Sequence, residues 1–169
     1  NYTAVFHDIA KKCGLLTVEV DGYTRQNGKL DRTGHSWLAV QVNSEWLLCD
    51  PTWDKDSHGQ LHYFLVPPAQ LIKSHMPFDY MWQLLKYPVT HAAFVLGKTA
   101  PEKSTTVYNY ADSIATYLAS DSLQQLEAKK LRILQAGPAN ELVALTAAAT
   151  NMKIRIIYEE KMELLYNEA

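Results

Sequence analysis

Hydrophobic residues recur at helical spacing in the first segment of the chain and at alternate positions in the next. Residues 2–13 are predicted to form a helix, because apolar side chains fall at threes and fours and Gly14 follows as a stop signal. His7 lies off the apolar stripe and is expected at the surface. Residues 15–23 alternate between apolar and polar, which predicts a strand with one wetter face. The stripe, which is expected to pack on a sheet, consists of Tyr2, Val5, Phe6, Ile9 and Ala10.

Two apolar runs, residues 36–42 and 46–50, are rich in β-branched, aromatic and aliphatic side chains, and Asn43 and Ser44 lie between them as turn formers. The pattern predicts an antiparallel hairpin with a two-residue loop. Both faces of this hairpin are apolar, so each needs a covering layer. We expect the first helix on one face and the chain beyond residue 100 on the other. Residues 25–34 are polar and carry an Asn-Gly pair, which predicts a turn or loop.

The second half of the chain is predicted to be mostly helical. Before it, residues 63–66 read as a short strand and residues 69–75 as a short helix after two prolines. Residues 98–104 are the best linker candidate. Helices are predicted at 110–118, from a cap at Ser122 to the stop at Gly137, and at 140–167, although residues 154–156 also suit a strand. We therefore expect an α+β core of residues 1–97 and a helical subdomain of residues 104–169, which packs on the core or docks a partner.

Composition narrows the classes of function. The 169 residues are 47% hydrophobic and 20% charged, as in an ordinary globular domain. A formal net charge of −2 argues against binding to nucleic acid or an acidic membrane. No apolar run reaches the roughly 18 residues of a spanning helix. Cys13 and Cys49 fall on different predicted elements, so they indicate no disulfide and are expected to be reduced, mostly buried and unreactive.

One histidine and one aspartate are brought together by the predicted hairpin. With residues 43 and 44 in the loop, His35 and Asp50 are diagonal neighbours on one face, with Cβ atoms roughly 7 Å apart. A carboxylate there would hold the imidazole tautomer through Nδ1 and stabilise its cation, which a general base requires. The alternative is a structural role, in which the buried histidine and aspartate only satisfy each other's hydrogen-bonding groups.

No metal site or cofactor is predicted. His58 and His62 lie four apart in a polar loop, but Gly59 disfavours the helix that would stack them. No cysteine or carboxylate set completes such a site.

The residues around the His–Asp pair resemble the core of the transglutaminase-like superfamily, papain-fold enzymes with a Cys-His-Asp triad. Gly-His-Ser-Trp at positions 34–37 matches the family's H-x-W strand, and Asp-Pro-Thr-Trp-Asp at 50–54 matches its D-x-T-W-D motif. Residues 1–23 look like the nucleophile helix and the following strand, and residues 75–94 look like the segment that wraps the sheet edge in bacterial members. The resemblance covers residues 1 to about 95 and implies a cysteine-proteinase-like α+β core in which His35 and Asp50 are catalytic.

The nucleophile of that family is the main departure. In family patterns such as G-V-C-x-x-Y-A, a cysteine precedes an aromatic residue that Tyr2 matches, so it is expected two residues before Asn1. Cys49 would face the opposite side of its strand, and Cys13 would lie roughly 16 Å along the helix from the required place. If the assignment is right, Asn1 should come within roughly 10 Å of the His35 ring.

The resemblance implies thiol-dependent acyl transfer on an amide, either hydrolysing a peptide-like bond or passing the acyl group to an amine. The substrate would be a peptide or protein, and Trp37 and Tyr23 would line its groove unless they belong to the core. The alternative is an inactive binding module of the same fold for peptide or cell-wall material. Cysteine two residues before Asn1 favours the enzyme, and serine or alanine favours the module. Bacterial members of this kind are often exported, which favours an extracytoplasmic location.

Overall fold

The computed structural model describes residues 2–55, 58–100 and 107–167. It confirms the α+β class, with a curled antiparallel sheet and a helical C-terminal region. The strands are β1 Leu16–Gln26, β2 Lys29–Leu30, β3 His35–Val42, β4 Glu45–Cys49 and β5 His75–Pro77. The helices are α1 Tyr2–Lys12, α2 Pro51–Asp54, α3 Pro68–Leu71, a 3₁₀ helix Tyr80–Gln83, α4 His91–Val95, α5 Tyr110–Ala119, α6 Ser122–Ala136 and α7 Glu141–Asn167.

The long strand β1 organises the sheet, whose order is β2-β1-β3-β4, and β5 also pairs with β1. The predicted hairpin of β3 and β4 is confirmed, with Val42 opposite Glu45. Asn43 and Ser44 both adopt positive φ, at 49° and 67°, as a tight two-residue turn requires. The loop therefore fixes the register that the sequence predicted.

Both faces of the hairpin are covered. On one face, Phe6 of α1 packs against Leu38, Val40 and Cys49, as expected. The other face is covered by α3, the 3₁₀ helix and Ile114 of α5, so much of this layer precedes residue 100 rather than following it. The core cluster on that second face contains Trp37, Ala39, Leu48, Leu71, Met81, Trp82 and Ile114.

The predicted apolar stripe of α1 is wrong in part. Tyr2, Val5 and Ile9 are 55%, 59% and 53% exposed, whereas Thr3 and Ala10 are buried. Thr3 Oγ1 donates to the Ser36 carbonyl at 3.0 Å. His7, predicted at the surface, is half-buried, with Nδ1 2.6 Å from Thr17 Oγ1. Polar partners on the sheet thus turn the helix away from the orientation that apolar spacing predicts.

Three segments differ from the prediction, two of them because β1 extends further than expected. Residues 25–34 contain a short hairpin of β1 and β2, with Asn27 and Gly28 at positive φ, rather than a plain loop. Helix α3 ends at Leu71, so the predicted helix over 69–75 is wrong at its end, and His75 pairs in β5 with Thr24. Residues 63–66 form a single bridge, Leu48 to Val66, instead of a strand.

Gly22 allows β5 to approach β1. A Cβ at this position would lie 2.3 Å from the Met76 carbonyl oxygen and 2.4 Å from Trp37 Cη2. Both separations are far below van der Waals contact, so only glycine fits between β5 and the Trp37 ring. Gly22 therefore sets where His75 lies in the sheet.

The C-terminal helices are confirmed, and residues 154–156 are helical. Asp121, rather than Ser122, caps α6, in a reciprocal capping box with Gln124. Ile133 and Val143 pack in a core cluster with Tyr23 of β1, so these helices lie against the sheet. The division at 97 and 104 stays a prediction, since residues 101–104 of the proposed linker lie outside the described residues. In the described part of the chain, none of the helices has the length and apolarity to cross a membrane.

Candidate active site

Asp50 lies where β4 ends and α2 begins. Pro51 at the first helical position cannot continue the strand ladder, and Asp50 becomes the helix N-cap. Its Oδ1 accepts from the backbone N–H groups of Thr52, at 2.9 Å, and Trp53, at 3.2 Å. These bonds fix the carboxylate plane and leave Oδ2 for other partners.

Two histidines share that second oxygen. Nε2 of His35 lies 2.6 Å from Asp50 Oδ2, and Nε2 of His75 lies 2.9 Å from the same atom. A carboxylate only accepts, so each imidazole donates an Nε2–H. The side chains of Asp50 and His75 have no solvent exposure, while that of His35 is 18% exposed. The structure thus brings His35 and Asp50 together and adds His75, which the sequence analysis missed.

The charge of this cluster is concentrated on Asp50. Burial alone would raise the pKa of the Asp50 carboxyl, but the hydrogen bonds from His35 and His75 outweigh it and lower the pKa to about 2. Burial lowers the pKa of His75, and the attraction of Asp50 opposes this only in part. Near neutral pH the cluster therefore holds an ionised carboxylate beside a neutral His75.

Aromatic rings surround the cluster and limit its access to water. The His35 ring centroid lies 6.1 Å from that of Trp37 and 6.0 Å from that of Trp53. Trp53 is also 4.4 Å from the His75 ring, and Tyr63 is 5.7 Å from it. Hydrogen bonds and charge attractions are stronger in such a low-dielectric environment than in water.

The ring nitrogen of His35 that binds Asp50 differs from the prediction. We expected Nδ1, whereas Nε2 makes the bond. An imidazole whose Nε2–H is held by a carboxylate presents an unprotonated Nδ1, which accepts a proton. The bond to Asp50 therefore leaves Nδ1 for a reacting group.

The first turn of α1 lies beside His35, because Thr3 Oγ1 donates to the carbonyl of the adjoining Ser36. A helix N-terminus carries partial positive charge and favours an anion such as a thiolate. Asn1 itself lies outside the described residues, so its expected distance from His35 stays a prediction.

A cavity of about 350 Å³ opens beside His35. One wall is the start of β3 together with Asp21 of β1, and the other comes from α6 and α7. Lys129 of α6 lies 3.4 Å from Asp21 across this cavity. The helical C-terminal region therefore contributes directly to the surroundings of His35.

Trp37 and Tyr23, the predicted substrate-binding residues, are 1% and 0% exposed and lie in two separate core clusters. The buried Trp37 ring stacks against the His35 ring on the side away from solvent. Tyr23 forms no part of the His35 cluster, and its hydroxyl lies 3.1 Å from His91 Nδ1. Both occupy the core position that was their alternative role, and their contact with a substrate stays a prediction.

The two cysteines differ in exposure. Cys49 is 1% exposed on the hairpin face opposite Trp37, and burial raises the pKa of its thiol to about 11. Cys13 is exposed just after α1, so its predicted burial is wrong. Cys13 follows the last turn of α1, whereas the first turn of α1 lies beside Ser36. A helix of this length spans roughly 16 Å, so Cys13 lies far from the start of the helix. Neither thiol lies in the His35 cluster.

His35, Asp50 and His75 are also the one group of described residues that could hold a metal ion, with ligand atoms within 4.8 Å of one another. Ligands on one tetrahedral zinc at bond lengths of roughly 2.0 Å would be about 3.3 Å apart. The observed 2.6 and 2.9 Å are shorter and match hydrogen bonds to an anion. The distances thus favour shared protons over a bound ion.

Comparison with known proteins gives distant relatives, and no family model matches the chain. The chain is similar to kyphoscoliosis peptidase of Mus musculus, with 31% identity over 105 residues, and of Homo sapiens, with 30% identity over 105 residues. Each match covers 52% of this chain and 16% of the relative. Hillarin of Drosophila melanogaster is 27% identical over 121 residues, which cover 56% of this chain and 15% of hillarin.

These matches support the resemblance only coarsely. The chain spans about a sixth of the length of the relatives, and they hint at a transglutaminase-like, peptidase-type family without showing an activity. All three relatives come from animals, so the bacterial type expected from the sequence has no support here.

Proposed function

We propose that this chain carries the histidine and aspartate of a thiol-dependent site for acyl transfer on amide bonds of peptides or proteins, of the peptidase or transglutaminase type. The observation that carries this proposal is the 2.6 Å contact between Nε2 of the partly exposed His35 and the buried Asp50 carboxylate. That contact orients the imidazole and leaves Nδ1 as the base.

In this scheme the thiol transfers its proton to His35 Nδ1, and the resulting thiolate attacks the amide carbonyl. The protonated His35 then donates to the leaving amine, and an acyl-thioester remains. Water or a second amine then attacks the thioester and gives a proton to His35 as the new bond forms. The C–S bond breaks, and the imidazolium returns the proton to the departing thiolate, which regenerates the thiol. Asp50, with its pKa held near 2, stays ionised throughout and stabilises the imidazolium.

The thiol comes from outside this chain in our proposal. Cys49 lies on the wrong face, and Cys13 follows the end of α1. A cysteine placed just ahead of α1 would meet both requirements of a reactive thiol, since the helix start favours the thiolate and His35 lies beside it.

The alternative is a binding module that keeps the fold and the polar cluster but turns nothing over. One observation favours it, because neither cysteine of this chain belongs to the His35 cluster. In that case the cavity beside His35 would hold a peptide or cell-wall fragment without a covalent step.

The residue that the gene encodes two positions before Asn1 separates the two functions. Cysteine supports the enzyme, and serine or alanine supports the module. With cysteine present, a peptide carrying an activated acyl group should leave a covalent acyl adduct on that cysteine, detected by mass spectrometry. His35→Gln should abolish the adduct, because no base remains, while the matched His62→Gln change in the exposed loop should leave it intact. Equal acylation of both variants would contradict the proposal.

A further inference from the structure

His75 is a buried histidine that the acyl-transfer scheme does not use. Its side chain has no solvent exposure, and it lies on β5, away in sequence from the motif that contains Asp50. One of its nitrogens lies 2.9 Å from Asp50 Oδ2, and the other lies 2.7 Å from Ser74 Oγ. Both nitrogens of the ring are thus paired within the protein.

We propose that His75 is a positioning residue, a neutral second donor that keeps Asp50 ionised and directed at His35. This inference rests on the proposed function, since it gives His75 a role in the work of Asp50. It deepens that function by extending the pair to a chain from Ser74 through His75 and Asp50 to His35.

The hydrogen bonds define one protonation state for His75. The carboxylate requires a donor, so the proton lies on Nε2, and the bare Nδ1 accepts from the Ser74 hydroxyl. Burial opposes a second proton on the ring, as does the neighbouring His35, while Asp50 and the more distant Asp31 favour it. Desolvation is the largest of these influences, so the neutral Nε2–H tautomer persists at neutral pH.

A second donor matters because the Asp50 side chain has no exposure to water. Burial favours the neutral acid, and a protonated Asp50 would no longer stabilise an imidazolium at His35. Two backbone N–H groups already hold Oδ1, and His75 completes the set at Oδ2. A hydrogen bond to a charged group is roughly twice as strong as one between neutral groups, so losing one donor shifts the protonation equilibrium of a buried carboxylate.

The position of His75 is itself fixed. Backbone pairing to Thr24 anchors it in β5, and the close approach at Gly22 sets that strand against β1. The rings of Trp37 and Trp53, at 5.2 and 4.4 Å, pack against the imidazole. His75 therefore donates from a rigid site, as a positioning residue must.

The test is heteronuclear NMR on the isotopically labelled chain and three variants. His75→Gln keeps an N–H donor near the position of Nε2, and His75→Leu fills the space without a donor. His91→Leu is the matched control, because it removes a buried histidine that has no contact with Asp50. The readouts are the ring tautomers of His75 and His35 and the acid titration of the Asp50 carboxyl carbon.

We expect wild-type His75 to be neutral and protonated at Nε2. The pKa of Asp50 should stay near the wild-type value in His75→Gln and His91→Leu, and should rise by about one unit, a tenfold change in proton affinity, in His75→Leu. A role in packing alone would give the same Asp50 titration in the Gln and Leu variants, which would overturn the proposal. So would a cationic or Nδ1-protonated His75 at neutral pH in the wild type, a result that needs no variant to fold.

These readouts do not depend on turnover, so they separate this inference from the proposed function. If the thiol-bearing protein is inactive but the Asp50 titration behaves as expected, the positioning role stands and the enzyme proposal fails. In an active form, His75→Leu should lower kcat about tenfold or more with little change in KM, and His75→Gln should restore most of it. Equal kcat for the two variants would again contradict the positioning role.

Discussion

His75 and His91 are both buried histidines with two hydrogen-bond partners, but their surroundings lead to different chemistry. His91 lies between the Tyr23 hydroxyl, 3.1 Å from Nδ1, and the Phe78 carbonyl, 3.2 Å from Nε2. Both partners are neutral, and both lie in the core. His75 instead donates to a carboxylate that also holds the partly exposed His35.

Only one of these two histidines is connected through a charged group to a ring that reaches solvent. Burial lowers the pKa of both His75 and His91, so a perturbed pKa does not separate them. What separates them is a connection through a charged group to a ring that reaches solvent. A closed neutral network stabilises the fold, whereas an open charged one can pass a proton to a substrate.

The largest effect on stability should come from removing the charge of Asp50, which distinguishes the hydrogen-bond network of His75 from that of His91. Asp50→Asn replaces one acceptor oxygen with an N–H₂ group. In either orientation of the amide, that group must face two N–H donors, from the imidazoles at Oδ2 or from the backbone at Oδ1. We expect a loss of about 3 kcal/mol in the free energy of unfolding, measured by urea denaturation. The control Asp8→Asn, at an exposed position in α1, should change it by no more than about 0.5 kcal/mol. An Asp50→Asn variant as stable as the control would show that the charged network does not hold the fold.

The second prediction concerns acid. The pKa of His75 and of His91 lies below the ordinary value of 6.5, so below pH 6.5 the unfolded chain binds protons that the folded protein does not. Stability from these groups is present above pH 6.5 and is lost as pH falls from there towards the folded values. Each histidine contributes a slope of at most about 1.4 kcal/mol per pH unit. Asp50 adds to the loss only between its ordinary 3.8 and about 2.

Urea denaturation across mildly acidic pH measures this slope. His75→Gln and His91→Gln should each reduce it, because either change removes one buried neutral imidazole. A free energy of unfolding that is flat between about pH 7 and pH 5 would contradict the assignment of both rings as neutral.

Local pattern was enough to predict the hairpin and the contact between His35 and Asp50. Two runs of β-branched, aromatic and aliphatic residues predicted the strands, and the Asn43-Ser44 turn between them gave the register. The register placed His35 and Asp50 on one face. The C-terminal helices could also be predicted from the sequence, because their stop and cap residues are local signals. These features depend on residues near one another in sequence.

His75 was missed because its position depends on distant residues. The segment after Pro67 and Pro68 reads as a helix, but β5 forms because β1 has an open edge and Gly22 leaves room beside it. The apolar run that begins at Met76 was the available signal, and it does not specify a strand partner. The orientation of α1 was missed similarly, since partners of Thr3 and His7 on the sheet overrode apolar spacing.

The smallest effect on stability should come from the neutral hydrogen-bond network around His91. Tyr23→Phe removes the donor to His91 Nδ1, and burial raises the pKa of the Tyr23 hydroxyl to about 12. We expect a loss of about 1 kcal/mol in the free energy of unfolding, with no change in the NMR signals of His35. The control Tyr166→Phe, at an 85% exposed position, should be neutral. A change at His35 would mean that the two histidine networks are coupled.

The proposed thiol site is tested by the rate at which a cysteine two residues before Asn1, encoded or introduced, is alkylated as a function of pH. If His35 and Asp50 form the base of a thiol site, the thiol should react as a thiolate well below the ordinary cysteine pKa of about 8.5. His35→Gln should return the profile to that of a free cysteine, and His62→Gln should leave it unchanged. A cysteine that reacts as a free thiol in the presence of His35, or a profile unaffected by His35→Gln, would rule out a thiol site built on His35 and Asp50.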